Sequence, residues 1–214
     1  MKKTLVILMI VLLFSGCQRI DNLSPKEAVD IAISENSTSY NQYRTGYKYY
    51  LPSGMKIENN IDFNEKLSTK DTDIYLFIDL ISYYNKKKVN YKKNENAYFS
   101  MAINKDNKEG YVEITKKDDN FYVEMIYNYA KIELITNEYN MVDNIYKSMR
   151  LLSSIKYNNS IVENLMGDNV LEFSESTYSV FKPRENVDNF LDYVEEYNTY
   201  NGPKEDIPDY DVIN

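Results

Sequence analysis

The sequence contains no histidine and no tryptophan, and its one cysteine lies at position 17 of 214 residues. Without histidine the chain cannot form a Ser-His-Asp triad, a Cys-His pair or a zinc site that uses imidazole. One cysteine cannot form an intramolecular disulfide, so a buried core has to stabilise the fold. The 197 residues that follow Cys17 are enough for one domain, or at most two small ones, with such a core.

Long apolar runs are also scarce, and the longest one ends shortly before Cys17. The first residues read MKKTLVILMIVLLFSG, with Lys2 and Lys3 followed by ten apolar residues at positions 5–14 and then by small residues. This order of basic, apolar and small regions predicts a secretory signal peptide over residues 1–16. The apolar run is too short for a transmembrane helix, which needs roughly 20 residues.

The hexapeptide LLFSGC, residues 12–17, resembles the lipobox of bacterial membrane lipoproteins, with Phe14 at the position usually held by Leu. The resemblance implies that Cys17 is joined to diacylglycerol by a thioether and becomes the first residue of the mature chain. Two acyl chains anchor a protein stably in a bilayer. We therefore expect the extracytoplasmic side of the cell membrane as the location, and no cofactor beyond the diacylglycerol. A buried thiol, or cleavage of an ordinary signal peptide further downstream, is the alternative.

The charge balance is acidic, with 25 Lys and Arg against 33 Asp and Glu. Removal of the signal peptide leaves 23 basic residues and a net charge of −10. Such a chain is repelled by phosphate backbones, so we expect no nucleic-acid partner. One basic run departs from this balance. It supplies candidate surface contacts to lipid headgroups or to an anionic wall polymer. The alternative is that the run is a solvated loop between strands. Its lysines are Lys86, Lys87, Lys88, Lys92 and Lys93.

A short tether joins the expected anchor to the rest of the chain. Residues 17–23 comprise the anchor and this tether, whose six residues, 18–23, reach about 20 Å at most. Ser24-Pro25-Lys26-Glu27 is a capping box with proline at the first helical position, which predicts a helix over 25–35. We expect one extracytoplasmic domain over 24–200 and an acidic, flexible tail over 201–214.

Hydrophobic periodicity predicts an α+β domain with a mainly antiparallel sheet flanked by helices. The run at 73–83 is apolar on both alternating faces, which is typical of a strand that is covered on both sides. Residues 97–136 read as a meander with strands near 97–103, 110–116, 120–127 and 130–136. Helices are expected near 25–35, 138–155 and 183–198, and a hairpin over 170–181.

The segment YKYYLPSGMKI, residues 47–57, predicts a strand, a turn and a second strand. It resembles the opening of PsbP-like domains, in which a tyrosine-rich strand runs into Pro-x-Gly. Met55 stands where that family usually has tryptophan. The resemblance implies an antiparallel sheet flanked by helices.

Few residues qualify as candidates for chemistry. Asp79 lies inside the apolar run at 73–83, where a buried carboxylate needs a partner or a shifted pKa, so it is either a functional residue or part of a structural ion pair. The S-x-x-K matches at Ser53 and Ser153 lack the companion motifs of penicillin-binding enzymes. The acidic residues do not follow EF-hand spacing. We therefore assign no catalytic residue and no metal site.

These observations favour a non-enzymatic lipoprotein that binds or assists another envelope component, most simply an envelope protein. The first alternative is a lipoprotein that binds a small ligand or a glycan in a cleft lined by some of its 22 tyrosines. The second alternative is a carboxylate-based hydrolase, which needs two acids about 5–10 Å apart across a cleft.

Overall fold

The computed structural model describes residues 23–35 and 39–167. The signal peptide, Cys17, the hairpin expected at 170–181, the helix expected at 183–198 and the acidic tail lie outside the described residues. Among the helices of the described part, none has the length and apolar character needed to cross a bilayer.

The described chain has the α+β architecture predicted from its periodicity, with mainly antiparallel sheet. The helices are α1 (Pro25–Ser34), α2 (Leu80–Asn85), α3 (Glu138–Ser154) and α4 (Asn159–Gly167). The strands are β1 (Gln42–Arg44), β2 (Tyr47–Tyr49), β3 (Lys56–Ile61), β4 (Asn64–Ser68), β5 (Asp73–Ile78), β6 (Phe99–Lys105), β7 (Lys108–Lys117), β8 (Asn120–Tyr127), β9 (Ala130–Thr136) and β10 (Lys156–Tyr157).

Seven strands form the main sheet in the order β3-β4-β5-β9-β8-β7-β6. Helix α3 packs on one face of this sheet, and α1 packs against α3. Alternate residues of the central strands point into this interface because side chains alternate between the faces of a strand. Among the fully buried core residues are Ile74, Leu76, Val123, Met125, Ile132, Leu134, Ile145, Met149 and Leu152.

A small sheet of β1, β2 and β10 lies beside the main sheet. The turn between β1 and β2 contains Gly46 at φ 88°, a conformation that side chains other than glycine rarely adopt. Glu65 of β4 joins the two sheets. Its carboxylate accepts two bonds from the Arg44 guanidinium, at 3.1 and 3.0 Å, and further bonds from the hydroxyls of Tyr47 and Tyr49.

The predicted meander is confirmed, and β8 and β9 have the predicted bounds. Its hairpins are closed by two-residue turns such as Asp106-Asn107, with φ 54° and 60°, and Asn128-Tyr129, with φ 55° and 60°. Positive φ at both turn residues matches the right-handed twist of the flanking strands. Helices α1 and α3 confirm the predictions at 25–35 and 138–155 to within one residue.

The predicted strand over 73–83 is wrong in its second half. Strand β5 ends at Ile78, and α2 begins at Leu80. A continuous apolar run does not distinguish a buried strand from a buried helix, and the local signal that decides here is Asp79. Its side chain accepts a hydrogen bond from the Ser82 backbone N–H and so caps α2.

The strand, turn and strand expected at 47–57 are present, but the two strands belong to different sheets. Strand β2 joins the small sheet, whereas β3 forms a hairpin with β4 at the edge of the main sheet. The β3–β4 hairpin continues beyond the predicted segment. Its sequence is rich in Asn and charged residues, which are depleted in strands, so the periodicity did not indicate it.

Candidate functional site

Asp79 is a buried N-cap, with 1% of its surface exposed. Its Oδ1 accepts from the Ser82 N–H at 2.7 Å, and its own N–H donates to the Tyr129 carbonyl at 2.9 Å. Its Oδ2 has no hydrogen-bond partner among the described residues. Burial raises the pKa of the Asp79 carboxyl above its ordinary value, and the bonds from Ser82 and the charge of Lys87 act in the opposite direction.

Three tyrosines form a cluster beside Asp79. The rings of Tyr83 and Tyr157 are stacked with centroids 4.0 Å apart, and Tyr129 meets Tyr83 edge-on at 5.5 Å. The Tyr157 hydroxyl donates to the carbonyls of Asn128 and Tyr129 at 2.8 and 3.0 Å. These rings therefore fix β10 and α2 against the β8–β9 turn.

The lysine run begins where α2 ends. Lys86 is the left-handed C-cap of α2 at φ 53°. Its ammonium lies 3.9 Å from the centroid of the Tyr83 ring. The run borders a cleft of about 170 Å³, which we call the lysine cleft. Its lining residues are Lys86, Lys87, Lys88, Val89, Asn107, Glu109 and Tyr129.

The structure thus brings Asp79 and three of the five candidate lysines to the two ends of one short helix. The other two do not line the lysine cleft. Lys92 and Lys93 are exposed, and the Lys93 ammonium lies 3.9 Å from a carboxylate oxygen of Glu95. Three of the five lysines therefore border a concave site, and the other two lie outside it.

A second, larger cleft lies at one end of the main sheet and has a volume of about 900 Å³. Tyr75 and Ile135 supply its apolar lining, and the Lys66 ammonium contacts Asp73 beside it at 2.9 Å. The remaining lining is polar and carries both signs of charge. It consists of Gly54, Lys56, Glu58, Ser68, Thr69, Lys70, Asp71, Thr72 and Asp73. We call this site the open cleft.

Three glutamates lie in one row across neighbouring strands of the sheet face that points away from α3. In the strand register, Glu113 pairs with Glu124, and Glu124 pairs with Glu133. Burial and the Glu133 carboxylate raise the pKa of Glu124, while Lys131 and the Tyr111 hydroxyl oppose this shift. We call these three residues the glutamate row.

Sequence reasoning missed the glutamate row because it did not align the strands. A signal is present, since the three strands carry the similar tripeptides Tyr-Val-Glu (111–113), Tyr-Val-Glu (122–124) and Lys-Ile-Glu (131–133). Because the strands are antiparallel and the turns are short, the glutamate that ends each tripeptide meets its counterpart, whereas Tyr111 pairs with Ile126 and not with Tyr122. Glu124 and Glu133 are direct neighbours on adjacent strands, so they do not face each other across a cleft. Within residues 23–35 and 39–167, no group of three or more Cys, Asp or Glu side chains is placed to hold a metal ion.

Comparisons with known proteins leave the family open. No protein-family profile matches the sequence, and no curated protein matches it. Among solved structures, a GTP-binding regulator from Thermotoga maritima is similar at 10% sequence identity, over 63% of this chain and 89% of that chain, with a TM-score of 0.24. A likeness this low carries no argument about function.

Proposed function

We propose that the protein is a lipid-anchored lipoprotein of the cell envelope that binds or assists another envelope component. The observation that carries the proposal is the short distance along the chain between the lipobox cysteine and the first element of the fold. Helix α1 begins at Pro25, and its capping box is formed by Ser24 and Glu27. Between Cys17 and Ser24 lie six residues, which reach about 20 Å at most. An acylated Cys17 therefore keeps the domain next to the bilayer.

The two clefts support a binding role. Concave sites that combine an apolar wall with several polar groups are the usual form of binding sites. The open cleft combines the apolar side chains of Tyr75 and Ile135 with a mainly polar lining, and the lysine cleft places three cationic side chains beside Tyr129. Asp79 caps a helix, and Glu65 joins two sheets, so these two buried carboxylates already have structural roles.

Crosslinking in intact membranes, followed by pull-down and mass spectrometry, tests the proposal. We expect the wild-type chain to capture a defined envelope protein, and we expect Cys17→Ala to reduce that capture because the domain is released from the membrane. Expression of the two chains at equal levels is the control. A chain that stays membrane-bound and captures no partner reproducibly would contradict the proposed binding role.

A second candidate function, binding of a small ligand or glycan, is favoured by the volume of the open cleft. About 900 Å³ is at the upper end of the range of small-molecule sites. Tyr75 contributes an aromatic ring, and hydroxyls and charged groups of both signs form the rest of the lining, which suits a neutral polyhydroxylated ligand. The test is thermal-shift screening of cell-wall saccharides against the wild type, Tyr75→Ala and Tyr43→Ala. Tyr43 is 66% exposed and does not line the open cleft. Stabilisation that Tyr75→Ala does not reduce would count against this site.

A further inference from the structure

The lysine cleft concentrates positive charge in an otherwise acidic chain. Three consecutive lysines, Lys86, Lys87 and Lys88, line a space of about 170 Å³ in a chain of net charge −8. Asn107 and Tyr129 add an amide and a hydroxyl to the lining. The cleft therefore combines cationic groups with neutral hydrogen-bond donors.

Capping of α2 does not account for the lysine side chains. The last carbonyls of this helix already accept backbone bonds, because the Lys86 N–H donates to Tyr83 at 3.2 Å and the Lys87 N–H donates to Ser82 at 3.0 Å. Within the described ranges, no carboxylate lies within 4.0 Å of the Lys86 or Lys87 ammonium. Neighbouring like charges repel one another, and a bound anion relieves that repulsion.

Two acidic groups lie near these ammonium groups. Glu109 lines the cleft, and Asp79 is buried behind the first turn of α2. Burial raises the pKa of Asp79, which favours its neutral form and weakens its compensation of the lysine charges. Glu109 therefore remains as the single carboxylate in a lining that contains three lysines.

We propose that the lysine cleft binds a phosphate group. A phosphate carries up to two negative charges on a compact set of oxygens, so it matches several ammonium groups better than a carboxylate does. Lysine binds phosphate as a point charge, and the hydroxyl of Tyr129 and the amide of Asn107 supply further donors. This inference rests on the proposed function in one respect, since it takes the phosphate-bearing ligand to be the envelope component. The chemistry is shared by soluble phosphate esters and by phospholipid headgroups.

Calorimetric titration of the purified mature chain, residues 17–214 with Cys17→Ser, tests the site, because neither acyl chains nor the apolar run at 5–14 can then cause vesicle binding. The soluble probes are inorganic phosphate and glycerol 3-phosphate, with acetate for comparison. The membrane probes are phosphatidylglycerol vesicles and phosphatidylcholine vesicles. Binding of the soluble probes assigns the source to phosphate esters in solution, whereas binding to phosphatidylglycerol vesicles alone assigns it to headgroups.

The decisive comparison uses two sets of substitutions within the same basic run. We expect Lys86→Gln/Lys87→Gln/Lys88→Gln to weaken phosphate binding about tenfold, and Lys92→Gln/Lys93→Gln to leave it within about twofold. Glu109→Gln removes the opposing carboxylate and should strengthen binding by about two- to fivefold. Equal weakening by both sets of lysine substitutions, acetate binding as tight as phosphate binding, or no binding to any phosphate probe would overturn the proposal.

Glu109→Gln also guards against a trivial loss of fold, since a misfolded chain would not bind more tightly. The titration needs neither the anchor nor a protein partner, so its failure is distinct from failure of the proposed function. A chain that is lipidated and captures a partner but binds no phosphate would retain the envelope role and lose this site. A chain that binds phosphate through Lys86–Lys88 but captures no partner would retain the site and lose the envelope role.

Discussion

At the scale of single residues, two buried carboxylates differ in how their charge is stabilised. Glu65 is fully buried and accepts four hydrogen bonds, two of them from the Arg44 guanidinium. Asp79 is almost fully buried and accepts from the Ser82 N–H, while its Oδ2 has no hydrogen-bond partner in the described part of the chain. Ionised carboxylates are stable in a protein interior only when they are paired and hydrogen-bonded. Loss of the charge should therefore stabilise the fold at Asp79 and destabilise it at Glu65.

For Asp79 we predict that Asp79→Asn becomes more stable than the wild type as the pH rises. The raised pKa of Asp79 means that its contribution to stability is complete below its ordinary pKa of about 4 and is lost as the pH rises through the folded-state pKa. Asparagine keeps an N-cap acceptor and does not ionise. Urea unfolding at a series of pH values measures the difference in the free energy of unfolding.

Asp79→Ala is the matched control, since it removes both the charge and the cap. It should be about 1 kcal/mol less stable than Asp79→Asn at every pH. The pKa of Glu124 is raised as well, so its titration contributes to every curve of unfolding free energy against pH. The difference between a variant and the wild type at each pH removes this contribution. A wild-type advantage over Asp79→Asn that grows with pH would show that the Asp79 charge is stabilising, contrary to this account.

For Glu65 we predict a large loss of stability on truncation. Glu65→Ala leaves the Arg44 guanidinium and the hydroxyls of Tyr47 and Tyr49 without their shared acceptor, which should cost about 3–5 kcal/mol. Tyr47→Phe removes one bond and should cost about 1 kcal/mol. Denaturant unfolding of Glu65→Ala and Tyr47→Phe measures the loss in free energy of unfolding that each substitution causes. Equal costs would mean that Glu65 does not hold the small sheet to the main sheet.

At the scale of elements, the segment between α2 and β6 covers part of the main sheet without regular structure of its own. Val89 and Tyr91 pack on a small apolar cluster that includes Phe77 and Tyr111. The rings of Tyr91 and Tyr111 are stacked with centroids 4.1 Å apart. The Tyr91 hydroxyl donates to Glu113 of the glutamate row at 2.8 Å. The Tyr98 ring also meets Phe121 edge-on at 4.9 Å, so two aromatic contacts, Val89 and a few polar bonds attach the cover.

We predict that Tyr91→Ala detaches this segment while the sheet stays folded. The substitution removes both the ring stack and the bond to Glu113, whereas Tyr91→Phe removes only the bond. Hydrogen exchange should become faster at residues 88–96 in Tyr91→Ala, with a smaller change in Tyr91→Phe. Amides of β8 should keep their protection. Unchanged exchange over 88–96 would show that other contacts hold the cover in place.

The elements also show which parts of the fold the sequence can predict. Strands β8 and β9 alternate apolar and polar residues between clear turn residues, so their bounds were predicted. Helix α2 was missed because its apolar run continues that of β5. The glutamate row and the lysine cleft depend on strand register and on packing between distant segments. Periodicity within one segment contains no information of that kind.

At the scale of the whole molecule, the net charge and the expected lipid anchor have opposite effects on the distance between the domain and the membrane. The expected mature chain has a net charge of −10 and is repelled by anionic surfaces, and a tether of six residues would nevertheless hold it beside one. The lysine cleft is a local exception to this charge, so its orientation relative to the bilayer would decide whether headgroups reach it. Attachment by Cys17 is therefore the claim on which the location depends.

Mass spectrometry of the N-terminal peptide of the mature protein, isolated from membranes, tests that claim most directly. We expect a peptide that begins at Cys17 and carries diacylglycerol on its sulfur, and we expect Cys17→Ala to shift the protein out of the membrane fraction. An unmodified Cys17 thiol in a membrane-derived chain, or a mature N-terminus downstream of residue 17, would contradict it.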